Sequence, residues 1–320
     1  MHAAASIPAR GPDPARQSPI PARYPERWIG AVVALAVTAY IVGAFALSPQ
    51  IHWDQVSHFL TFPTIIRGMW LTIVLTVVSQ LLGTVGGVLL AVMRLSENPV
   101  LNSISWFYIW LFRGTPVLIQ IIFWFNLALV FPTLGIGIPF TDLGFSVPTN
   151  QVITAFTAAV LALGLNEAAY MAEIVRGGIL SVDPGQGEAA SSIGMTRRKA
   201  MARVILPQAV RTILPPWGNE FIGMLKSTSL VSVIATAELL TSAQQIYARN
   251  FFTIELLLVA SFWYLVMTTI ATVLQSMLEK RFEVSLKVRP ETMARRLLNR
   301  ATAGRRTRLV TLPRETGARP

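Results

Sequence analysis

The chain has 320 residues, of which 53% are hydrophobic and only 13% charged, and its mean hydropathy is +0.54, which excludes an ordinary soluble domain and indicates a membrane protein. The net charge of +11 would suit nucleic-acid binding, but no aromatic residues interleave with the basic residues to stack on bases. The absence of cysteine excludes disulfides, cysteine metal or redox sites and a lipid-modified N-terminal cysteine.

The first 27 residues are rich in Pro, Ala and Arg, and they predict a disordered cytoplasmic tail. The apolar segment 28–50 follows and predicts an N-terminal transmembrane helix. It ends in Ala44-Phe45-Ala46, a pattern that signal peptidases cut, but its apolar stretch exceeds the ~7–15 residues of a signal-peptide core. We favour a retained anchor, with cleavage as the alternative.

Five more segments approach or exceed the ~20 apolar residues needed to cross the ~30 Å hydrocarbon core. These segments are 68–93, 114–141, 152–175, 204–237 and 256–278. The predicted fold class is therefore all-α, a polytopic membrane protein with six transmembrane helices. Gly83, Gly86 and Gly87 in the second span predict close helix packing, whereas the aromatic piece "SISWFYIWLF" before the third span indicates a membrane-interface belt.

Basic residues orient the spans, because Lys and Arg accumulate in short cytoplasmic loops. With the N-terminus inside, all but four of the 27 basic residues fall in cytoplasmic segments. Arg67 and Arg249 lie in outer loops, while Arg113 and Lys226 lie within or at the edge of spans. We expect both termini in the cytoplasm, including a basic tail over 283–320.

The cytoplasmic stretch "GQGEAASSIGMTRRKAMARVILPQAVR" lies between the fourth and fifth spans. Asp183 followed by Pro184 predicts the start of a short helix, and Gly194 predicts its left-handed end. Thr196 can cap a second helix, and we expect Pro207 to end the cytoplasmic part. The first helix has almost no large apolar side chains, so insertion into a protein groove suits it better than binding to lipid.

The stretch also resembles a known motif: Glu188-Ala189-Ala190, three residues, Gly194, nine residues and "VILP" match the EAA motif of permease subunits of ATP-binding cassette importers, with Val204 in the Ile position. Four further segments resemble the polar amino acid branch of that family: "FRGTPVLIQ" (112–120), "AAYMAEIVRGGILSV" (168–182), "LPQAVRTILPPWGN" (206–219) and "LKSTSLVSVI" (225–234). The resemblance covers about residues 59–282.

The resemblance implies a five-helix importer core over 59–282, preceded by an extra helix, in a bacterial cytoplasmic membrane. The partners it implies are a pair of ATP-binding subunits, an extracytoplasmic solute-binding protein and a second permease, either a copy of this chain or a sister. The chain lacks a G-x-x-x-x-G-K-[ST] phosphate loop, so ATP and Mg²⁺ are expected on the partner and no cofactor on this chain. The implied ATPase-coupling residues are Glu188, Ala189, Ala190, Gly194, Arg197 and Pro207.

Ionisable residues within spans are candidates for a functional role, and four residues qualify: Glu167, Glu173, Glu220 and Lys226. Glu173 and Arg176, one turn apart, predict an intrahelical ion pair instead. Glu167 either faces a cavity, where it can hold a substrate amino group, or pairs with Lys226 of a neighbouring subunit. The family-like segment around Lys226 carries Ser227 where Asp or Asn is usual. The pathway candidates are Glu167, Asn219, Lys226, Thr228 and Ser229.

The residues thus favour an ATP-driven importer subunit for a polar amino acid or close analogue, without its own ATPase site. The alternative is a secondary, ion-coupled amino acid transporter, which would usually show internal repeats with broken helices in both halves. In this sequence only the fifth span is visibly interrupted, at Pro215-Pro216. Which amino acid is carried stays open at this stage. His52 and His58, in an outer loop, are expected at the surface rather than as metal ligands.

Overall fold

The computed structural model describes residues 25–137 and 144–282. Most of the described residues are helical. The elements are α1 (Pro25–Ala46), α2 (Trp53–Leu60), α3 (Pro63–Arg94), α4 (Pro99–Gly114), α5 (Val117–Phe125), a 3-10 turn (Leu127–Leu129), β1 (Thr133–Gly137), β2 (Gly144–Pro148), α6 (Thr149–Val152), α7 (Ala155–Leu180), α8 (Pro184–Ser192), α9 (Arg197–Ala200), a π-helical segment (Met201–Ile205), α10 (Leu206–Ser227), a 3-10 segment (Thr228–Ile234), α11 (Leu239–Asn250) and α12 (Thr253–Phe282).

The chain divides into two compact units, and the second runs from Pro49 to Ser285. The first unit contributes α1, whose side chains from Trp28 onward are nearly all exposed. An apolar helix exposed all round suits lipid contact. The helix begins at Pro25, so the last three residues of the predicted tail are helical; the rest of that tail and the basic tail over 283–320 lie outside the described residues.

Four of the described helices, α1, α3, α7 and α12, are long and apolar enough to cross a membrane. Two bent pairs bring the number to six when each pair is taken as one span. One pair is α4 with α5, bent by 101°, and the other joins residues 197–234 to α11 at 45°. The predicted six-helix architecture agrees with this count.

The third span does not lie where the sequence suggested. We expected it over 114–141, but the bent pair covers Pro99–Phe125, and the chain beyond it forms β1. The shift arises because the charge of Arg113 ended the apolar run. The aromatic piece before Arg113 is part of α4 rather than an interfacial belt alone.

The loop after α5 contains a small β-hairpin that an all-α fold does not predict. β1 and β2 pair antiparallel, with Thr133 opposite Pro148 and Gly137 opposite Gly144. Thr149 continues the contact, because its backbone N–H donates to the carbonyl of Pro132 at 3.0 Å. The hairpin leads directly through α6 into α7.

The centre of the second unit is the contact between α3 and α7. A Cβ atom added to Gly83 would lie 2.4 Å from Cγ of Glu167, and one added to Gly87 would lie 2.3 Å from Cβ of Met171. The two backbones therefore approach to a distance that only glycine allows, as predicted from the small residues of the second span. This packing holds Glu167 in place.

The fifth span is continuous where we expected it to break. Pro207 lies in the first turn of α10, and the preceding residues 201–205 form a π-helical segment, whose wider turn accommodates the proline. Pro215 and Pro216 also lie inside α10. The bend occurs later, where Ala235 adopts a left-handed φ of 54° before α11.

Candidate functional site

The bend between α4 and α5 is held by side-chain hydrogen bonds. Gln120 donates through Nε2 to the carbonyls of Phe112 and Thr115, both at 3.1 Å, and to Oγ1 of Thr115 at 2.8 Å. Asn166 of α7 donates to the same Phe112 carbonyl at 2.9 Å. Non-helical backbone at membrane depth requires such partners, which explains why "FRGTPVLIQ" ends in glutamine.

A cavity of about 580 Å³ opens beside this bend, and we call it the first cavity. Its volume falls within the ~300–1,000 Å³ typical of small-molecule sites. The ionisable and polar side chains that line it come from α4, the bend after α4, α7 and α10: Arg113, Thr115, Asn166, Glu167, Tyr170, Glu220 and Ser227. The walls therefore combine two carboxylates, one guanidinium and one phenol.

Glu167 is fixed in the wall of this cavity. Its side chain is 5% exposed, and its Oε1 accepts a hydrogen bond of 3.2 Å from Nε2 of Gln80 on α3. Glu220, on α10, is half-buried and lines the same cavity as Glu167, so two like charges face one space and repel each other. A ligand cation between the two carboxylates would offset that repulsion and the cost of burying the charge.

The other pathway candidates lie outside the first cavity. Asn219 is exposed and accepts from Nε2 of Gln275 at 3.2 Å. Lys226 is exposed as well. Thr228 and Ser229 donate to backbone carbonyls three residues earlier, at 2.7 Å each. Of the five predicted pathway residues, only Glu167 lines this cavity.

Sequence reasoning missed several polar residues of the cavity wall, among them Arg113, Asn166 and Tyr170. Arg113 was assigned to the edge of a span, and Tyr170 was only part of a family-like segment. A signal was present: Glu167, Tyr170 and Glu173 follow one another at three-residue spacing, which places them along one side of a helix. The predicted ion pair is confirmed, with Nη2 of Arg176 2.6 Å from Oε2 of Glu173.

The segment from Asp183 to Pro207, which we call the coupling segment, has the predicted helix–glycine–helix form. Asp183 caps α8, since its Oδ1 accepts from the backbone N–H of Gly185 at 2.7 Å. Gly194 has a φ of 80°, the left-handed conformation predicted for it. Thr196 is at the N-cap position of α9 as predicted, but its side chain makes no capping hydrogen bond, and only its backbone carbonyl accepts, from the N–H of Ala200.

The tip of the coupling segment is exposed. Glu188, Ala189 and Gly194 lie at the surface, whereas Ala190 is buried. Ile193 is 78% exposed, an unusual position for the one large apolar side chain of this stretch. Arg197, 81% exposed, donates to Oε1 of Glu97 in the loop between α3 and α4 at 2.5 Å. The surface of this tip is therefore polar except for the exposed side chain of Ile193.

His52 is half-exposed and forms a contact that the sequence did not suggest. Its Nδ1 lies 2.9 Å from Oε1 of Glu255, a buried carboxylate in the first turn of α12. The backbone N–H of His52 donates to the same oxygen at 3.0 Å. This contact ties the start of α2 to α12.

Comparison with known proteins agrees with this architecture. Residues 83–284 match the family model described as "Binding-protein-dependent transport system inner membrane component". The chain is 44% identical to the arginine transport system permease protein ArgU of Corynebacterium glutamicum over 277 residues, which cover 85% of this chain and 86% of that protein. It is 33% identical to the glutamine transport system permease protein GlnP of Escherichia coli, over 73% and 99% of the two chains.

A solved structure carries the same similarity. The permease fold matches a crystal structure of an amino acid ABC transporter with histidines at 39% identity and a TM-score of 0.59, covering 68% of this chain and 94% of that one. The match covers nearly all of that chain and leaves part of this chain outside the aligned region. The chain therefore belongs to the binding-protein-dependent transport system inner membrane components, as a permease of the amino acid ABC importer type.

Proposed function

We propose that this permease moves a cationic amino acid, of the arginine or lysine type, into the cytoplasm. The observation that carries the proposal is the pair of carboxylates, Glu167 and Glu220, in one cavity of amino acid size. Two acidic groups facing a low-dielectric cavity favour a substrate with a positive side chain. The similarity to a permease named for arginine transport supports this choice.

In this proposal, Glu167 holds the substrate cation and is itself held by Gln80. The hydrogen bond from Gln80 occupies Oε1, which leaves Oε2 for the ligand. Glu220 approaches the same ligand from α10. The site is therefore shared between two helices, and its affinity depends on the distance between α7 and α10.

The coupling segment connects those two helices in the chain. α7 ends at Leu180, α8 begins at Pro184, and from Arg197 onward the helix runs through the π-helical segment into α10 without a break. In this proposal a pair of ATP-binding subunits, which hold ATP and Mg²⁺, docks on Glu188, Ala189, Ala190, Gly194, Arg197 and Pro207. Movement of the docked segment then shifts α10 relative to α7, which changes the affinity of the two carboxylates for the substrate.

The remaining parts of the assembly follow the same proposal. An extracytoplasmic solute-binding protein delivers the amino acid, and a second permease, a copy or a sister, completes the pathway. Both termini lie in the cytoplasm and the chain resides in the bacterial inner membrane, in accordance with its basic loops. An ion-coupled secondary transporter is the weaker alternative, because it gives the exposed tip around Ile193 no partner.

Uptake by the complete importer in proteoliposomes tests the substrate class. We expect ATP-driven uptake of radiolabelled arginine and lysine, and we expect Glu167→Gln to lower it about 10- to 100-fold, since a charge-assisted contact is lost. Asp54→Asn, which neutralises an exposed carboxylate on α2, is the matched control and should leave arginine uptake unchanged. Full arginine uptake by Glu167→Gln would contradict the proposed site.

A further inference from the structure

A second cavity adjoins the first one. It has a volume of about 550 Å³, and its polar wall includes Arg94 and Glu173. Both cavities are lined by Arg113, Gly114 and Tyr170, so these three residues form the boundary between them. The second cavity lies beside the part of α7 that leads toward the coupling segment.

The boundary contains a cation–π contact. The guanidinium carbon of Arg113 lies 5.1 Å from the centroid of the Tyr170 ring. At this distance the ring quadrupole attracts the cation, and the attraction strengthens when water is excluded. Arg113 is exposed in the isolated chain, and charged side chains of spanning helices do not face lipid. The guanidinium therefore lies at the boundary between the two cavities.

Tyr170 also lies between two carboxylates, of which Glu173 is already paired with Arg176. Glu167 precedes it by three residues and lines the first cavity, while Glu173 follows it by three residues and lines the second. Because Tyr170 lines both cavities, a substrate cation that moves from one cavity to the other moves past the boundary that this residue shares with Arg113. The Arg113 guanidinium, which is a cation like the proposed substrate, already lies over the Tyr170 ring.

We infer that Arg113 and Tyr170 form a gate between the two cavities, which a substrate cation opens by replacing the Arg113 guanidinium on the Tyr170 ring. The inference rests on the proposed function, because it requires a cationic substrate. The displaced guanidinium has an alternative partner of opposite charge in Glu220, which lines the first cavity with it. Arg113 thus neutralises the carboxylate that the substrate has just left.

The local backbone suits such a movement. Arg113 is the last side chain of α4 before the bend, and Gly114 follows with no atoms within 4 Å of an added Cβ. Thr115 is already extended, with a φ of −116°. The side chain of Arg113 can therefore swing between Tyr170 and Glu220 without breaking α4.

Cysteine accessibility in the complete importer tests the gate, and the cysteine-free chain makes the experiment direct. Ser227→Cys reports on the first cavity and Trp106→Cys on the second. A cationic methanethiosulfonate is applied from the coupling-segment side of membrane vesicles, and the modification rate of each cysteine is measured by mass spectrometry of this chain. Each cysteine is combined with Arg113→Gln, Tyr170→Leu or Tyr170→Phe.

We expect Arg113→Gln and Tyr170→Leu to raise the modification rate at Ser227→Cys about tenfold, because each change removes one desolvated cation–π contact. Tyr170→Phe keeps the ring and should leave the rate unchanged. The rates at Trp106→Cys should stay constant, which also controls for the charge removed beside both cavities. Equal rates at Ser227→Cys in all variants, or a parallel rise at both cysteines, would overturn the gate.

Arginine uptake measured in the same vesicles separates the two proposals. Native uptake of arginine with unchanged labelling rates would contradict the gate and leave the proposed function standing. An absence of cationic amino acid uptake would contradict the proposed function, whatever the labelling rates show.

Discussion

Gly194 is a residue at which backbone conformation and docking space can be separated. Its φ of 80° favours glycine, and an L-residue other than Asn or Asp pays about 1–2 kcal/mol there. Within the described part of the chain no atom lies within 4 Å of an added Cβ, so the space around it is free for a partner.

We therefore expect Gly194→Asn, which tolerates the left-handed conformation, to retain copurification of the ATP-binding subunits. Gly194→Arg should abolish that copurification or uncouple ATP hydrolysis from uptake, because its side chain fills the docking space. The two variants are compared by affinity purification and by the ratio of ATP hydrolysed to amino acid taken up. Native transport by Gly194→Arg would rule out docking at this tip.

Individual residues were predictable where the cause is local. The cap at Asp183, the left-handed Gly194 and the ion pair of Glu173 with Arg176 all depend on neighbours within four residues. The contact of Arg113 with Tyr170 joins residues 57 positions apart across a bend, and periodicity carries no information about such pairs. Glu167 lies between these cases, since the sequence offered a cavity as one of two surroundings for it but did not give the residues that line that cavity.

At the scale of elements, the packing of α3 on α7 makes a sharp prediction for Gly83→Ala. The added Cβ would meet Glu167 at 2.4 Å, so α3 and α7 must separate, at a cost of about 1–3 kcal/mol. Arginine uptake should fall as well, because the same methyl group displaces the Glu167 carboxylate. The measurements are thermal unfolding of the detergent-solubilised chain and uptake in proteoliposomes.

Gly177→Ala, in α7, is the matched control. No atom lies within 4 Å of its added Cβ, so the change should leave stability equal or raise it by up to about 1 kcal/mol through helix propensity. A Gly83→Ala variant as stable as Gly177→Ala would show that α3 and α7 are less tightly packed than the structure indicates.

Elements were predictable from apolar runs where a span is one straight helix, as in α1, α3, α7 and α12. In the two bent spans, the helix continues through a residue that was expected to end it. In the third, Arg113 interrupted the apolar run although the helix continues to Gly114. In the fifth, Pro215 and Pro216 suggested a break, yet α10 passes through them and the span bends at Ala235 instead. Proline in a membrane helix is tolerated when other groups satisfy the carbonyls that it frees four residues earlier.

At the scale of the whole molecule, the proposed mechanism requires α7 and α10 to move relative to each other, because each helix carries one carboxylate of the first cavity. The two helices are joined at the base of the coupling segment, where Oγ of Ser181 lies 3.3 Å from Oγ1 of Thr212. Both side chains are exposed. A covalent bond at this point would fix the relation between the helices that ATP is proposed to change.

The double variant Ser181→Cys/Thr212→Cys provides that bond in a chain with no other cysteine. We expect its oxidation to abolish ATP-driven arginine uptake and its reduction to restore it, while copurification of the ATP-binding subunits persists in both states. The two single-cysteine variants, treated with the same oxidant, should keep native uptake. Undiminished uptake by the fully cross-linked importer would mean that α7 and α10 move as one body, and the substrate would then have to be released by the movement of some other helix.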